Sequence, residues 1–273
     1  MPHRRERSRR LAVIGTMLAI GLMVAFIAFP LFSGWVAPLV PNSVVDAVGA
    51  EMIKDTAAHG DFCNAPEGRA ALQRLTERLA THAPDDDFKI YVSDQEVINA
   101  FAAPGGHIVI YRPIITQAEG PEEVAGVLAH EMGHVVEDHP TQGLVEAVGY
   151  GIFSKFTIGS ENAKQVAQSL LTNHYSRNDE LDADRRGVEM LNAVGVDSRG
   201  LFSFFERIKS AGEDVPGAVE FMSTHPSGDK RRENLEGVAV AGEAAMSDED
   251  WAALQAICEQ TGGAEPIVVE AQD

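Results

Sequence analysis

Apolar and polar positions divide the chain into unlike stretches. From Leu11 to Phe32 the sequence reads LAVIGTMLAIGLMVAFIAFPLF, without a charged residue. At ~1.5 Å per helical residue, such a run covers the ~30 Å hydrocarbon core of a bilayer. Pro38, Pro41 and Asn42 then mark a short linker. A helix is expected over Pro66 to His82, with Pro66 in its first turn and Leu72, Leu75 and Leu79 on one face. The segment FKIYVSD reads as a strand, and so does His107 to Tyr111 after the turn Pro104-Gly105-Gly106. A second long helix begins near Pro121, with Glu122 and Glu123 where the helix dipole favours them, and stops by Pro140. The stretch GLVEAVGYGIFSKF is apolar enough to touch a membrane and too short to span one. Further helices are expected over 162–173, over Arg177 to Ala193 ahead of Gly195, and over Arg199 to Ser210. A last helix is introduced by Ser247 and Asp250 at capping-box spacing, and the tail after Gly262 reads as frayed. The pattern is α+β: mostly helical, with a small β-sheet, preceded by one N-terminal transmembrane helix.

Charge sharpens this picture. The net charge is −19, yet the first ten residues, MPHRRERSRR, carry five arginines and one glutamate. An acidic remainder repels phosphate backbones, so no nucleic-acid partner is expected. Arginines ahead of an apolar run place that end in the cytosol and send everything after Ser33 across the membrane. A cleaved signal peptide competes with this reading. The run exceeds the ~7–15 residues of a signal h-region, and no A-x-A site follows, which favours an uncleaved anchor. The expected organisation is a basic cytosolic segment over 1–10, a signal anchor over 11–33, a juxtamembrane linker over 34–65, a domain over 66–262 and a flexible tail over 263–273. The location that follows is a single pass through the cell inner membrane, with the domain on the exported, periplasmic or extracytoplasmic side. Cys63 and Cys258 both lie on that side. They either pair as a disulfide tying the start of the domain to its last helix, or remain two buried thiols.

The candidate chemistry centres on His130-Glu131-Met132-Gly133-His134. Histidines four apart on a helix share a face and can both reach one Zn²⁺ at ~2.0–2.1 Å. Glu131 projects toward the same cleft as a general base. H-E-x-x-H is a metallopeptidase signature, but five residues with two free positions recur by chance, so context decides. Val124, Val127, Leu128 and Val135 supply a well-formed helix around it. Downstream, Ser176-Arg177-Asn178-Asp179-Glu180-Leu181-Asp182-Ala183-Asp184 puts Glu180 and Asp184 at i and i+4. Glu180 is the candidate third ligand. Asp184 would accept a hydrogen bond from the other nitrogen of a ligand histidine and fix its tautomer. A solvated acidic helix face is the alternative; Ala183 between the acids allows close helix approach and favours the site.

H-E-x-x-H followed by S-R-x-x-E-x-x-A-D resembles the HtpX and CAAX-prenyl-protease-like family of zinc metallopeptidases, the gluzincins. The similarity runs over roughly Arg69 to Leu235 and includes NAFAAPGGHIVIY and Ser223-Thr224-His225-Pro226 with Arg231 or Arg232 behind it. It implies a zincin-like domain with one Zn²⁺ per chain, held by His130, His134 and Glu180, with Glu131 as base and Asp184 in support. Members of that type carry several membrane helices whereas this chain shows one span, so prenylated substrates are not carried over. His225, with Tyr175 and Arg231 behind it, is a candidate oxyanion donor, an inhibitory fourth ligand, or a loop histidine bonded locally. The strand with His107, Ile108, Val109 and Ile110 is a candidate edge for pairing with a peptide substrate. His139 is expected on another helix face as a dipole partner, His174 near the surface, and His59 and His82 exposed. The resemblance implies a membrane-anchored endopeptidase acting on misfolded or membrane-associated envelope proteins. A catalytically quiet zinc-binding scaffold, chaperone-like, and a non-peptidase zinc hydrolase are the rivals.

Overall fold

A computed structural model describes residues 32–154, 175–211 and 237–271, with shorter pieces at 13–17, 167–168, 170–171 and 224–225 and single positions at 20, 221, 231 and 233. Most of the expected anchor over 11–33 and most of the helix expected over 162–173 lie outside the described residues; of the latter, 167–168 and 170–171 are helical. Among those described, no single helix is long and apolar enough to cross a membrane.

The chain enters through a short helix α1 (Ser33–Val36) and a 3₁₀ turn (Ala37–Leu39), then bends by 103° into α2 (Asn42–Ala57). The expected linker therefore contains a 16-residue helix. Val48, Met52 and Ile53 of α2 are buried, which makes it part of the domain. Strand β1 (Phe62–Cys63) leads to α3 (Pro66–Ala80), whose buried stripe includes Leu72, Leu75 and Leu79 as the spacing anticipates. Then come β2 (Phe88–Ser93), β3 (Ala100–Ala103) and β4 (His107–Tyr111), with Gly105 and Gly106 supplying the positive φ of the turn. Helices α4 (Arg112–Thr116) and α5 (Pro121–Val136) follow, then α6 (His139–Ser154), α7 (Arg177–Ala193), α8 (Gly200–Ala211) and α9 (Asp248–Gln255). The chain finishes with β5 (Thr261–Gly262) and β6 (Ile267–Val269).

The sheet runs β3-β4-β2-β1-β5, with β6 on β2; β2 and β4 are parallel and the other pairs antiparallel. Two expectations change here. The tail does not fray: Ile267 and Val269 point into the core and Val268 out, the alternation that lets β6 close over β2. Nor is His107–Tyr111 an edge. Strand β4 is paired on both sides, with Ile108, Val109 and Ile110 fully buried, so its backbone has nothing left to offer a peptide. The edge is β3, whose alanines gave little β signal.

Cys63 and Cys258 form a disulfide, joining β1 to the 3₁₀ turn Ile257–Glu259 after α9. The main core lies between the sheet and the helices α3, α5 and α7. Helix α5 runs through its middle, buried at every position from Glu123 to His134.

Candidate metal centre

Two helices build the site. On α5, His130 and His134 stand one turn apart with their Nε2 atoms 3.1 Å from each other. Helix α7 opens on a full capping box, in which Ser176 Oγ accepts from the Asp179 N–H and the Asp179 carboxylate accepts from the Ser176 N–H. That fixes the first turn, so Glu180 and Asp184 both face α5. Small residues let the helices meet. A Cβ on Gly133 would lie 2.5 Å from the Ala183 carbonyl oxygen, and one on Gly187 would lie 2.9 Å from that of Ala129.

His225 joins this pair from the C-terminal part of the chain. Its Nδ1 is 3.3 Å from His130 Nε2 and 3.3 Å from Glu180 Oε1. Glu180 Oε1 is in turn 3.4 Å from His134 Nε2, and Oε2 is 3.6 Å from His130 Nε2. A tetrahedral ion with donors at ~2.0–2.1 Å separates those donors by roughly 3.3 Å. Four of the six donor pairs already fall at 3.1–3.4 Å, and all four donors lie within 4.8 Å of one another, which fits one such ion. All four residues are buried.

The outer nitrogens of the rings fix which nitrogen faces the centre. His130 Nδ1 is 2.8 Å from Asp184 Oδ1, and a carboxylate there requires the proton on Nδ1, leaving the Nε2 lone pair inward. Arg231 holds Asp184 with two hydrogen bonds of 2.6 Å and places Nη1 2.7 Å from Glu180 Oε2. Its guanidinium lies over the Phe205 ring. His225 Nε2 donates to the Ala100 carbonyl at 3.2 Å, so a neutral ring would turn its Nδ1 lone pair inward. His134 Nδ1 meets His139 Nδ1 at 2.9 Å, and His139 Nε2 looks toward Asp179 Oδ1 at 3.9 Å. His139 is thus not on a remote face. Asp138, at φ 56°, reverses the chain after α5, and His139 opens α6 beside His134. Nothing in helical spacing could reveal that, because the helix ends between the two histidines.

The electrostatics suit a cation. Burial would raise Glu180, but His225, His134 and His130 hold it well below the usual carboxylate range. Burial would likewise raise Asp184; Arg231 and His130 keep it low. Burial alone would lower His225, yet Glu180 and Glu131 raise it to about 9. The pocket therefore strongly favours one positive charge, be it proton or metal ion. His134, by contrast, is held well below 6.5 by burial and stays neutral, as a ligand must. Glu131 sits beside this cluster with Oε1 3.5 Å from His225 Nε2, and neither of its oxygens meets a well-aligned hydrogen-bond donor. Burial raises its pKa, which suits a proton acceptor.

A cleft of about 840 Å³ opens beside the site, lined among others by Phe101 and Ala102 of β3 and by Tyr175, His139 and His225. Tyr175 stacks on His134 with centroids 3.9 Å apart and donates to the Ala102 carbonyl at 3.1 Å. His107 is elsewhere, buried against Tyr91 with its Nδ1 3.1 Å from the phenol oxygen. Arg232 and His174 lie outside the described residues.

Residues 66–239 match the model of Peptidase family M48. The chain is 29% identical over 169 residues to the mitochondrial metalloendopeptidase OMA1 of Arabidopsis thaliana, covering 61% of this chain and 34% of that one. It is 26% identical over 179 residues to a beta-barrel assembly-enhancing protease of Yersinia pestis, covering 59% and 36%. Against the metalloendopeptidase OMA1 of Schizosaccharomyces pombe the figures are 27% over 172 residues, 60% and 51%. The chain thus spans between a third and a half of the length of these relatives. With most of its length matched, and with a buried donor set that could hold one metal ion, the chain belongs to peptidase family M48, a family of zinc metallopeptidases.

Proposed function

We propose that this chain is a zinc metalloendopeptidase, anchored by 11–33 in a membrane, that hydrolyses peptide bonds in misfolded or membrane-associated envelope proteins on the exported side. The observation that carries the reading is the convergence of His130, His134, Glu180 and His225, whose donor atoms lie within 4.8 Å of one another, with Glu131 at their border. His130, His134 and Glu180 would hold the metal, with Asp184 orienting His130. Zn²⁺ held there supplies a Lewis acid that polarises a peptide carbonyl and acidifies a water. Glu131, desolvated and facing the cluster, would accept a proton from the attacking water and return it to the leaving amine. Tyr175, whose pKa burial raises well above 10, stays protonated and is a hydrogen-bond donor next to the reacting carbonyl. A peptide lies along β3 as an added strand, meeting the same Ala100 and Ala102 carbonyls that His225 and Tyr175 now hold. The names of the relatives, metalloendopeptidase and assembly-enhancing protease, agree with this reading.

His225 supports a second reading. A catalytic zinc keeps an open position, whereas four protein donors close the site as in a structural one. Either His225 is a removable cap or the protein is a quiet zinc-binding scaffold. The full chain in detergent, assayed for zinc and for cleavage of unfolded casein, separates the two. Wild type is expected to cleave, with His225→Ala raising basal cleavage and Glu131→Gln lowering it by about 10³-fold or more at unchanged zinc content. One zinc per chain in every variant, with cleavage by none, would establish the scaffold.

A further inference from the structure

Several of the exposed large apolar side chains among the described residues fall within one short segment, while Val13, Ile14, Met17 and Ile20 precede it and Val238, Val240 and Val268 lie elsewhere. Phe32, Trp35, Val36, Leu39 and Val44 are all exposed, with Trp35 at 81% and Leu39 at 78%. No ionisable residue occurs between Phe32 and Val45. The opposite face of this short segment is seated. Ser33 and Ala37, one turn apart, are buried, and Ser33 Oγ donates to Glu146 Oε1 of α6 at 2.8 Å. Ser33 and Glu146 also line the cleft that contains Tyr175 and His225. The apolar face is therefore fixed rigidly to a wall of the site.

We propose that this face of α1 lies in the lipid interface and, through its seat on α6, sets the mouth of the cleft against the membrane, so that the substrates are polypeptide segments leaving the bilayer. The proposal rests on the reading of 11–33 as an anchor and names the substrate class of the same site. Three observations choose lipid as the occupant. The chain carries no charge from Leu11 to Val45, so the proposed anchor runs directly into the face. An indole is favoured at the level of the headgroups, and Trp35 is the most exposed large apolar side chain described. Five side chains, with Val44 already past the bend into α2, are too little for a second copy, since a stable dimer needs roughly 800 Å² from each partner. The lack of charge also suits a zwitterionic surface, which an acidic domain does not repel.

The test uses the full chain in phosphatidylcholine vesicles, with bromine placed at shallow or deep acyl positions. Trp251→Phe leaves Trp35 as the one indole, and Trp35→Phe leaves Trp251 as the control. Flotation with the vesicles and severalfold stronger quenching of Trp35 by shallow than by deep bromine is the expected result, with Trp251 unquenched. In addition, Trp35→Ser with Leu39→Ser is expected to lower cleavage of a peptide tethered to lipid by a short linker roughly tenfold. The same peptide free in solution should be cleaved as before. A chain that floats with Trp35 unquenched, or with Trp35 shielded in cross-linked pairs of chains, overturns the docking and leaves the anchor standing. A chain that does not float overturns both. Equal loss on tethered and free peptide overturns the substrate class.

Discussion

Each histidine of the centre has its outer nitrogen committed, and the partners differ in kind. His130 has a carboxylate clamped by an arginine, His225 a backbone carbonyl, and His134 a second imidazole, His139. A carboxylate makes its histidine a stronger donor, whereas the carbonyl on β3 can be taken over by a competing strand. His225 is thus the ring most easily released. A histidine can equally be structural. His107 is held near 4 because burial, then the Lys89 ammonium, disfavour its charged form. Its unfolded value is 6.5, so between 6.5 and 4 the unfolded chain binds more protons than the folded one. Stability is full above that window and falls as pH drops through it. His107→Gln, which cannot titrate, should lose on the order of 2 kcal/mol less than wild type from neutral pH to 4, allowing for partial solvation of the ring. Urea unfolding at several pH values measures this; parallel curves for the two proteins would place the ring in solvent.

At the scale of elements, the packing of α5 on α7 decides whether a centre exists. Gly133 sits between the two ligand histidines in sequence and directly under the Ala183 carbonyl. Gly133→Ala forces a Cβ against backbone, so it should cost about 1–3 kcal/mol of stability and weaken zinc retention against a chelator. Gly143→Ala on α6 is the control, because its Cβ would meet only a Leu170 methyl at 3.4 Å. Equal melting temperatures for both would mean that the helices do not approach so closely. These two helices were legible in the sequence because their signals are local: apolar periodicity, Pro121 with its acids, and the Ser176 box all lie within the element they describe. What was not legible depended on neighbours. Alternation in His107–Tyr111 marks a strand without saying whether its edges are free, and four residues of alanine and phenylalanine in β3 carry little β signal of their own. His139 was missed because a single left-handed residue, Asp138, separates it from the helix on which its spacing was counted.

For the whole molecule, the chain closes on itself twice. The disulfide joins positions 195 residues apart, and β6 returns to β2. Cysteine placement on one side of the apolar run allowed the first without deciding between a disulfide and two thiols; the second hides in a tail whose three strand residues follow glycines and a proline. His225 could be singled out by its Ser-Thr-His-Pro setting, but its two roles could not be ranked, because its position relative to Glu180 and Ala100 is a property of the folded chain. The acid net charge and the basic first ten residues fit the proposed arrangement, in which a leading segment would hold an acidic domain at the membrane. The central claim is the metal set, and X-ray absorption at the zinc edge of the full chain tests it most directly. The account predicts a shell of nitrogen and oxygen donors at ~2.0–2.1 Å with the outer-shell scattering of imidazoles, one imidazole fewer after His225→Ala, and no zinc after Glu180→Ala. A sulfur shell near ~2.3 Å, or full zinc content with an unchanged spectrum in Glu180→Ala, would contradict it.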